Sequence, residues 1–539
     1  MIAKPYWLAA ILLSTLTGCE TATVEAQSRT LLNSAMVTHT LENPWYQAAA
    51  ASVKNKPLGQ AERGKAKNII LFVGDGMGVS TVTAARILAG QQQGKLGEEH
   101  QLSFELFPYS GLSKTYNVNA QVPDSAGTMT AIISGLKTDT GVLGVSEEID
   151  NGECPSQAGN EVFSALELAE IAGKATGIIS TARITHATPA ATFAKSADRD
   201  WEADSDLSDD AKAAGCEDIA SQLIHFEPLL RKRIPNINID GIDLVMGGGR
   251  RNFLAKQAKG KRTDGRDLSA EWQQQYPSGK YITDKAGFDA IDTTAPQKIL
   301  ALFNSSHMEY EADRDHSAAG EPSLSEMTET AIKLLQHHKS GYFLMVEGGR
   351  IDHGHHAGSA YSALTETIEM SNAVAKAAEL SNSDDTLIIV TADHSHVLTI
   401  AGYPKRGNPI LGKVISVGSK RPSLADDGLP YTTLGYQNGL GFRNLGDELN
   451  ADMAYDKDPD TGRRDLSKVD TESSGFHQEA LVAMGSETHG GEDVAIYARG
   501  PGAALVSGSN EQNVIFHVME YAADLLNKAQ QALSVSDTQ

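Results

Sequence analysis

The sequence predicts an α/β protein built on a central, mostly parallel sheet flanked by helices, with a large insertion late in the chain. Three observations carry this reading. Between Asn68 and Ile400, short apolar runs alternate with Ala-, Glu- and Lys-rich stretches of helical character, the pattern of repeated βαβ units. The alternation stops over residues 402–488, which are rich in Gly, Pro, Asp and Asn without a helical period, and resumes at Val494-Ala-Ile-Tyr-Ala498. The chain has 539 residues, 40% of them hydrophobic and 21% charged, which suits a large buried core better than disorder.

Taken in chain order, residues 1–18 read as an export signal. Lys4 precedes an apolar run too short to span as a permanent helix, and the run ends in Leu16-Thr17-Gly18-Cys19, which resembles a bacterial lipobox with Cys19 as the lipidated first mature residue. Residues 19–60 are expected to hold a small, polar tether (20–43) and an arm helix. Asn43-Pro44 caps and opens that helix over Trp45 to Lys54. Residues 61–401 and 489–530 are assigned to the α/β core, 402–488 to the insertion and 531–539 to a tail. Asp204 to Asp210 reads as an acidic, solvated loop, and Gly247-Gly248-Gly249 as a strand-to-turn exit. Beyond Cys19 only Cys154 and Cys216 remain, and an exported chain with one such pair fits a single disulfide.

In open parallel sheets, ligands bind beyond the carboxyl ends of the strands. Four apolar runs here end in polar clusters of one chemical kind. Residues 68–73 run into Gly74-Asp75-Gly76-Met77-Gly78, and residues 177–180 lead to Arg183, His186 and Thr188. Residues 342–346 end in Glu347, followed by Arg350, Asp352, His353, His355 and His356; residues 386–390 end in Asp393-His394-Ser395-His396. The sheet rule gathers all four on one rim, and the i, i+4 spacing of Asp352 and His356 puts both on one helical face. Asp and His suit Zn²⁺, a Glu, Asp and hydroxyl set suits Mg²⁺, and the absence of thiolates argues against a structural zinc ribbon.

Ser125 is the nucleophile candidate. Pro123-Asp124 precedes a small-residue helical start, so Ser125 falls at a helix N-terminus, where N–H groups and the dipole favour an anion; simple capping by Asp124 or Ser125 is the structural alternative. The formal charge of −23 argues against a nucleic-acid-binding role but not against a phosphate ester, because bound cations reverse the local field. Gly407 to Lys413 spells a P-loop-like run but continues with Val414, and neither G-x-S-x-G nor H-E-x-x-H occurs.

Together these residues resemble the alkaline phosphatase family, closest to its animal-type branch. The matching stretches are residues 74–78, Pro123-Asp124-Ser125-Ala126, His186-Ala-Thr188-Pro189, residues 347–356, Asp393-His394-Ser395-His396 and Thr488-His489-Gly-Gly-Glu492-Asp493, in family order over nearly the whole mature chain. The resemblance implies an alkaline-phosphatase-like fold with a crown-like insertion, and a broad-specificity phosphomonoesterase working through a phosphoserine at Ser125. It implies two Zn²⁺ and one Mg²⁺ per subunit. Asp352, His356 and His489 would hold the first zinc; Asp75, Asp393 and His394 the second; Thr188 and Glu347, with Asp75 bridging, the Mg²⁺. Arg199 would grip two phosphate oxygens with its planar fork, or else pair with a neighbouring Asp. His186, His353 and His396 would surround the ligands and the substrate.

Cys154 and Cys216 fall where a family disulfide is expected. Asn304 stands where a Glu is expected, and the stretch after Arg250 is shortened, so the family's calcium site is expected to be absent. The resemblance further implies a homodimer embraced by the N-terminal helix. With the lipobox, it places a lipid-anchored enzyme at the cell envelope, periplasm-facing or on the outer membrane. A phosphodiesterase on the same fold, or a non-catalytic phosphate- or metal-binding lipoprotein, is the alternative; a sulfatase is disfavoured because no C/S-x-P-x-R segment is present.

Overall fold

The computed structural model describes residues 34–56, 63–444 and 463–536. The expected signal, Cys19 and most of the tether lie outside these residues. Ten strands form the main sheet: β1 (Asn68–Gly74), β2 (Tyr109–Lys114), β3 (Ala175–Arg183), β4 (Leu244–Gly248), β5 (Lys280–Ile282), β6 (Ile299–Leu302), β7 (Tyr342–Gly348), β8 (Thr386–Ala392), β9 (Val494–Arg499) and β10 (Gly508–Glu511). Their order is β10-β2-β9-β8-β1-β7-β3-β4-β6-β5. The seven strands from β8 to β5 are parallel; β9 runs antiparallel to both β8 and β2.

Helices cover both faces, and β1 shows the consequence. Ile69, Leu71 and Val73 enter one apolar cluster while Ile70 and Phe72 enter the other. A strand buried on both faces needs apolar residues at every position, which is why it reads as a continuous run.

The register positions the chemistry. Gly74 of β1 lies level with Gly348 of β7 and Ala392 of β8, so Asp75 and Asp393 leave the sheet at the same height. Glu347 pairs with Val73 on one side and with Ser180 of β3 on the other. Residues 402–488 are not shapeless. Leu434–Gly439 pairs with Leu398–Ile400 and with Ala480–Ala483, a sheet that crosses the expected boundary at 401. A short antiparallel contact between Ser395–His396 and His489–Gly490 then returns the chain to the rim and sets His489 opposite His396.

Three local expectations need correction. Residues 35–42, read as tether, form a helix capped by Ser34, whose Oγ accepts from Val37 N; it buries Met36, Val37 and Thr40. Its polar composition hid an apolar stripe only one turn wide. Residues 531–536, read as tail, continue the last helix, Leu525–Ser536. Asp204 is buried rather than solvated, because it accepts from Thr263 N and Asp264 N across a loop; only Ser208, Asp209 and Asp210 stay exposed.

Pro44–Lys54 forms as read, with Asn43 Oδ1 accepting from Trp45 N at 2.9 Å. It packs on its own core, with Tyr46 against Phe163, Phe516 and His517. Among the described residues, no helix is long and apolar enough to cross a membrane.

Candidate active site

The carboxyl ends of β1, β3, β7 and β8 bring Asp75, Thr188, Glu347, Asp352, Asp393, His394 and the returning His489 into one buried rim. Three ligand groupings occur there: Asp352, His356, His396 and His489; Asp75, His186 and Glu347; and Asp75, Asp352 and His394. Asp393 completes the last from the side, with Oδ2 3.4 Å from His394 Nε2.

Proton bookkeeping shows what the first grouping needs. His356 Nδ1 donates to Glu487 O at 2.6 Å, and His489 Nδ1 donates to Pro123 O at 2.7 Å. Carbonyls only accept, so each ring holds a hydrogen on Nδ1, and it is Nε2 that can offer a lone pair to a cation. Those two Nε2 atoms face each other at 3.1 Å, and Asp352 Oδ1 lies 3.3 and 3.4 Å away. Facing lone pairs beside a carboxylate oxygen form a set of donors for a cation, with each imidazole oriented by a backbone acceptor behind it.

His396 is different. Its Nε2 meets Asp352 Oδ1 at 2.8 Å and its Nδ1 meets Glu487 Oε2 at 2.6 Å, so both nitrogens are engaged by carboxylates. Burial opposes its charge, but Glu487 and Asp352 outweigh that and push it up to about 10. It braces the ligands without offering a lone pair. Gly76, at φ +68°, leaves room for this ring: a Cβ there would sit 2.2 Å from His396.

On the other side of Asp75 the rim is short of positive charge. Asp75 Oδ2, Glu347 Oε1 and Thr188 Oγ1 are buried oxygens without a hydrogen-bond partner among the described residues. Burial, reinforced by Asp393, Asp352 and Glu347, holds Asp75 well above the usual carboxylate range; burial likewise pushes Glu347 up to about 8. Unsatisfied buried oxygens in this number are costly unless a cation meets them. The donor set fits the expected cations: imidazole and carboxylate on one side, carboxylate and hydroxyl on the other.

Ser125 opens the helix Ser125–Ser134, but the cap is Asp124, whose Oδ1 accepts from Gly127 N at 3.1 Å. The Ser125 hydroxyl is therefore left for other partners, and it lies 3.0 Å from His394 Nε2 and 3.3 Å from Asp75 Oδ1. Arg199 does not pair with its sequence neighbours. Its Nη1 donates to Asp124 Oδ2 at 2.9 Å, and Nη2 lies 3.4 Å from His186 Nε2. One carboxylate thus fixes both the start of the Ser125 helix and the guanidinium. Burial, with Arg199 and Arg183 nearby, holds His186 well below its usual range, so it is neutral.

Two residues escaped the sequence reading. Glu487, buried at the end of the insertion, engages His396, Val397 N and, through its carbonyl, His356. It lies two residues before His489, inside a stretch read as irregular. His307 follows the carboxyl end of β6, so the strand-end rule applied to a fifth strand would have found it. Its ring lies 3.9 Å from that of His353 and 5.5 Å from that of His186, and Arg183 Nη1 donates to its Nε2. His353 is fixed from behind, Nδ1 donating to Gly349 O at 2.9 Å. Away from the rim, Cys154 and Cys216 form a disulfide with a Cα–Cα distance of 6.1 Å. Asn304 Nδ2 donates to Glu321 at 2.7 Å and to Glu309 at 3.3 Å.

Comparison with known proteins adds independent findings. The family described as "Alkaline phosphatase" matches residues 66–525. The chain is 44% identical over 495 residues to the rat tissue-nonspecific isozyme of alkaline phosphatase, covering 89% of this chain and 88% of that one. It is 43% identical over 512 residues to the human tissue-nonspecific isozyme, with coverage of 92% and 91%. Over 494 residues it is 42% identical to an alkaline phosphatase of Gadus morhua, with coverage of 89% and 96%. Among solved structures, the alkaline phosphatase of Thermus thermophilus superposes with a TM-score of 0.60 at 24% identity, covering 90% of this chain and 98% of that one, which attests the fold.

Proposed function

The chain belongs to the alkaline phosphatase family, and from that premise we propose that it hydrolyses phosphate monoesters through a phosphoserine at Ser125, with two Zn²⁺ and one Mg²⁺ per subunit. The observation that carries this is the Ser125 hydroxyl, 3.0 Å from His394 Nε2 and beside buried carboxylate and hydroxyl oxygens that have no hydrogen-bond partner among the described residues. Asp352, His356 and His489 would hold one zinc; Asp75, Asp393 and His394 the other; Asp75, Thr188 and Glu347 the magnesium. When bound, these ions favour the serine alkoxide and offset charge on the transferring phosphoryl group.

The chain's own residues supply the rest. Ser125 Oγ gives up its proton and forms a bond to phosphorus as the bond to the ester oxygen breaks; the alcohol leaves with a proton, and water then cleaves the phosphoserine to release phosphate. Arg199, pre-set by Asp124, faces the non-bridging oxygens with its planar fork. His186, which Arg199 Nη2 approaches, packs with His353 and His307 on the same side of the site. Because the contacts are to the phosphate, many alcohols fit as leaving groups. Asn304, an amide donor lying between Glu309 and Glu321, supports the absence of a calcium site there.

The disulfide supports an oxidising compartment, and the Leu16-Thr17-Gly18-Cys19 run supports a lipid anchor at the cell envelope. Leu481, Val482 and Met484, exposed on or beside the strand Ala480–Ala483, support a homodimer through the insertion. The test is hydrolysis of p-nitrophenyl phosphate at alkaline pH by the mature chain, before EDTA, after EDTA and after Zn²⁺ and Mg²⁺ are returned. Activity lost and restored in step is expected. A folded, metal-loaded protein that cleaves only bis(p-nitrophenyl) phosphate would overturn the monoesterase reading.

A further inference from the structure

The opposite end of the sheet carries a second feature, unconnected with the rim. A cavity of about 320 Å³ is walled by Lys65, Lys67, Lys174 and Lys528, the rest of its lining being glycine, alanine and Ser340. Four of its eight lining residues are cations and none is an acid, in a chain whose formal charge is −23. Lys67 immediately precedes β1, Lys174 immediately precedes β3, and Ser340 lies just before β7, so the cavity sits under the amino ends of three adjacent strands. β1 is seven residues long, which puts roughly 20 Å between this pole and Asp75.

Lys174 is the built part of the site. It is only 5% exposed, and its Nζ donates to Lys67 O at 2.7 Å and Ser340 O at 2.9 Å, with no carboxylate paired to it among the described residues. Burial, helped by Lys528 and Lys67, draws it down to about 8. Glu520, on the helix Val514–Ala523, and Asp524, its C-cap, are paired with Arg63. A buried ammonium with those of Lys67 and Lys528 acting on it invites an anion.

The path of the chain suggests which one. Val37, in the first helix, shares an apolar cavity with Ile171, Ala529 and Leu533; Ile171 directly precedes Ala172 of the lysine cavity, and Ala529 directly follows Lys528. Farther along that helix Thr40 Oγ1 accepts from Phe163 N, and Phe163 precedes the start of Ala165–Ile171. That helix ends at the lysine pole, so the chain enters the fold there. Ser34 lies fifteen positions after Cys19, a reach of at most about 50 Å.

We propose that the lysine-lined cavity binds the phosphate headgroups of an anionic membrane surface, seating the lipid-anchored enzyme on its lysine pole with the catalytic rim facing away. The occupant rests on the anchor reading at Cys19; the cavity itself does not. A second, electrostatic contact is what a lipid-anchored protein needs to hold one orientation.

The test uses the metal-loaded mature chain with Cys19→Ser, which carries no lipid. It is floated at low salt with vesicles of phosphatidylglycerol and phosphatidylcholine, or of phosphatidylcholine alone. Binding to the anionic vesicles only is expected, weakening with added salt and falling at least about tenfold in the Lys67→Glu/Lys528→Glu variant. Turnover of p-nitrophenyl phosphate should be equal in both proteins, which reports folding. Equal flotation of the two proteins, or none of the parent, overturns the proposal. Saturable uptake of inorganic phosphate that Lys174→Met removes, without vesicle binding, overturns it in favour of a free anion. Palmitate labelling of the full chain tests the anchor separately: no label together with intact vesicle binding refutes the anchor and keeps the headgroup site.

Discussion

Lys195 and Glu167 are both fully buried and meet at 2.9 Å, and nearby Arg262 grips Asp218 with two bonds of 2.9 and 3.0 Å. Here each ionised group has its opposite inside the protein. At the rim Asp75, Glu347, Asp352 and Asp393 are just as buried, yet burial keeps His186 and His394 neutral, and three oxygens have no hydrogen-bond partner among the described residues. Both regions bury charge, but only one balances it. The difference separates structure from function: a balanced pair holds elements together, whereas a surplus of one sign is stable only when an ion from outside completes it.

That contrast can be broken or sharpened by substitution. The largest effect is expected at Ser125. Ser125→Ala should lower kcat by at least about 10³-fold with almost no change in Tm, measured on p-nitrophenyl phosphate and by thermal melting; substantial residual turnover would remove Ser125 as nucleophile. Glu167→Gln should do the reverse. It strips Lys195 of its charge partner and should cost about 3–5 kcal/mol of stability in a denaturant titration, while the protein that stays folded keeps its turnover.

Glu347 gives a pH signature. Its folded pKa, about 8 without metal, lies above the unfolded value, so its contribution to stability is full below about pH 4.5 and is lost as pH rises through about 8. The melting temperature of metal-free protein should therefore fall over that window relative to the metal-loaded enzyme. Glu347→Gln should flatten the difference while weakening Mg²⁺ activation. The smallest effect is expected at His307. With its ring against His353 and no place in the metal groupings, His307→Ala should raise KM about fivefold, ~1 kcal/mol, at nearly constant kcat. A matching fall in kcat would give His307 a role in the chemical step.

The site was largely legible because the strand-end rule links sequence to place. Asp75, Glu347, Asp352 and Asp393 each follow an apolar run, and parallel strands in register must bring such positions to one edge. Glu487 and His489 were not reachable in that way. They return to the rim through the contact between Ser395–His396 and His489–Gly490, after an insertion whose pairings span tens of residues. His307 follows the same rule but behind a shorter strand, in a stretch of Asn and Ser that resembles a loop. The helix at 35–42 was missed because a single buried turn leaves too short an apolar period to read.

What the sequence by itself determined is the layered α/β core, the strands that end in ligand-type residues and the helix that opens at Ser125. These follow from local periodicity and from a sheet rule that needs no long-range detail. The tertiary structure alone decided that Asp124 rather than Ser125 caps the helix, that Arg199 answers to Asp124 rather than to its neighbours, and which imidazole nitrogens can face a cation. It alone gathered four lysines from distant segments beneath the sheet. Hydrogen-bond partners and charge balance are properties of three-dimensional proximity, and no spacing along the chain encodes them.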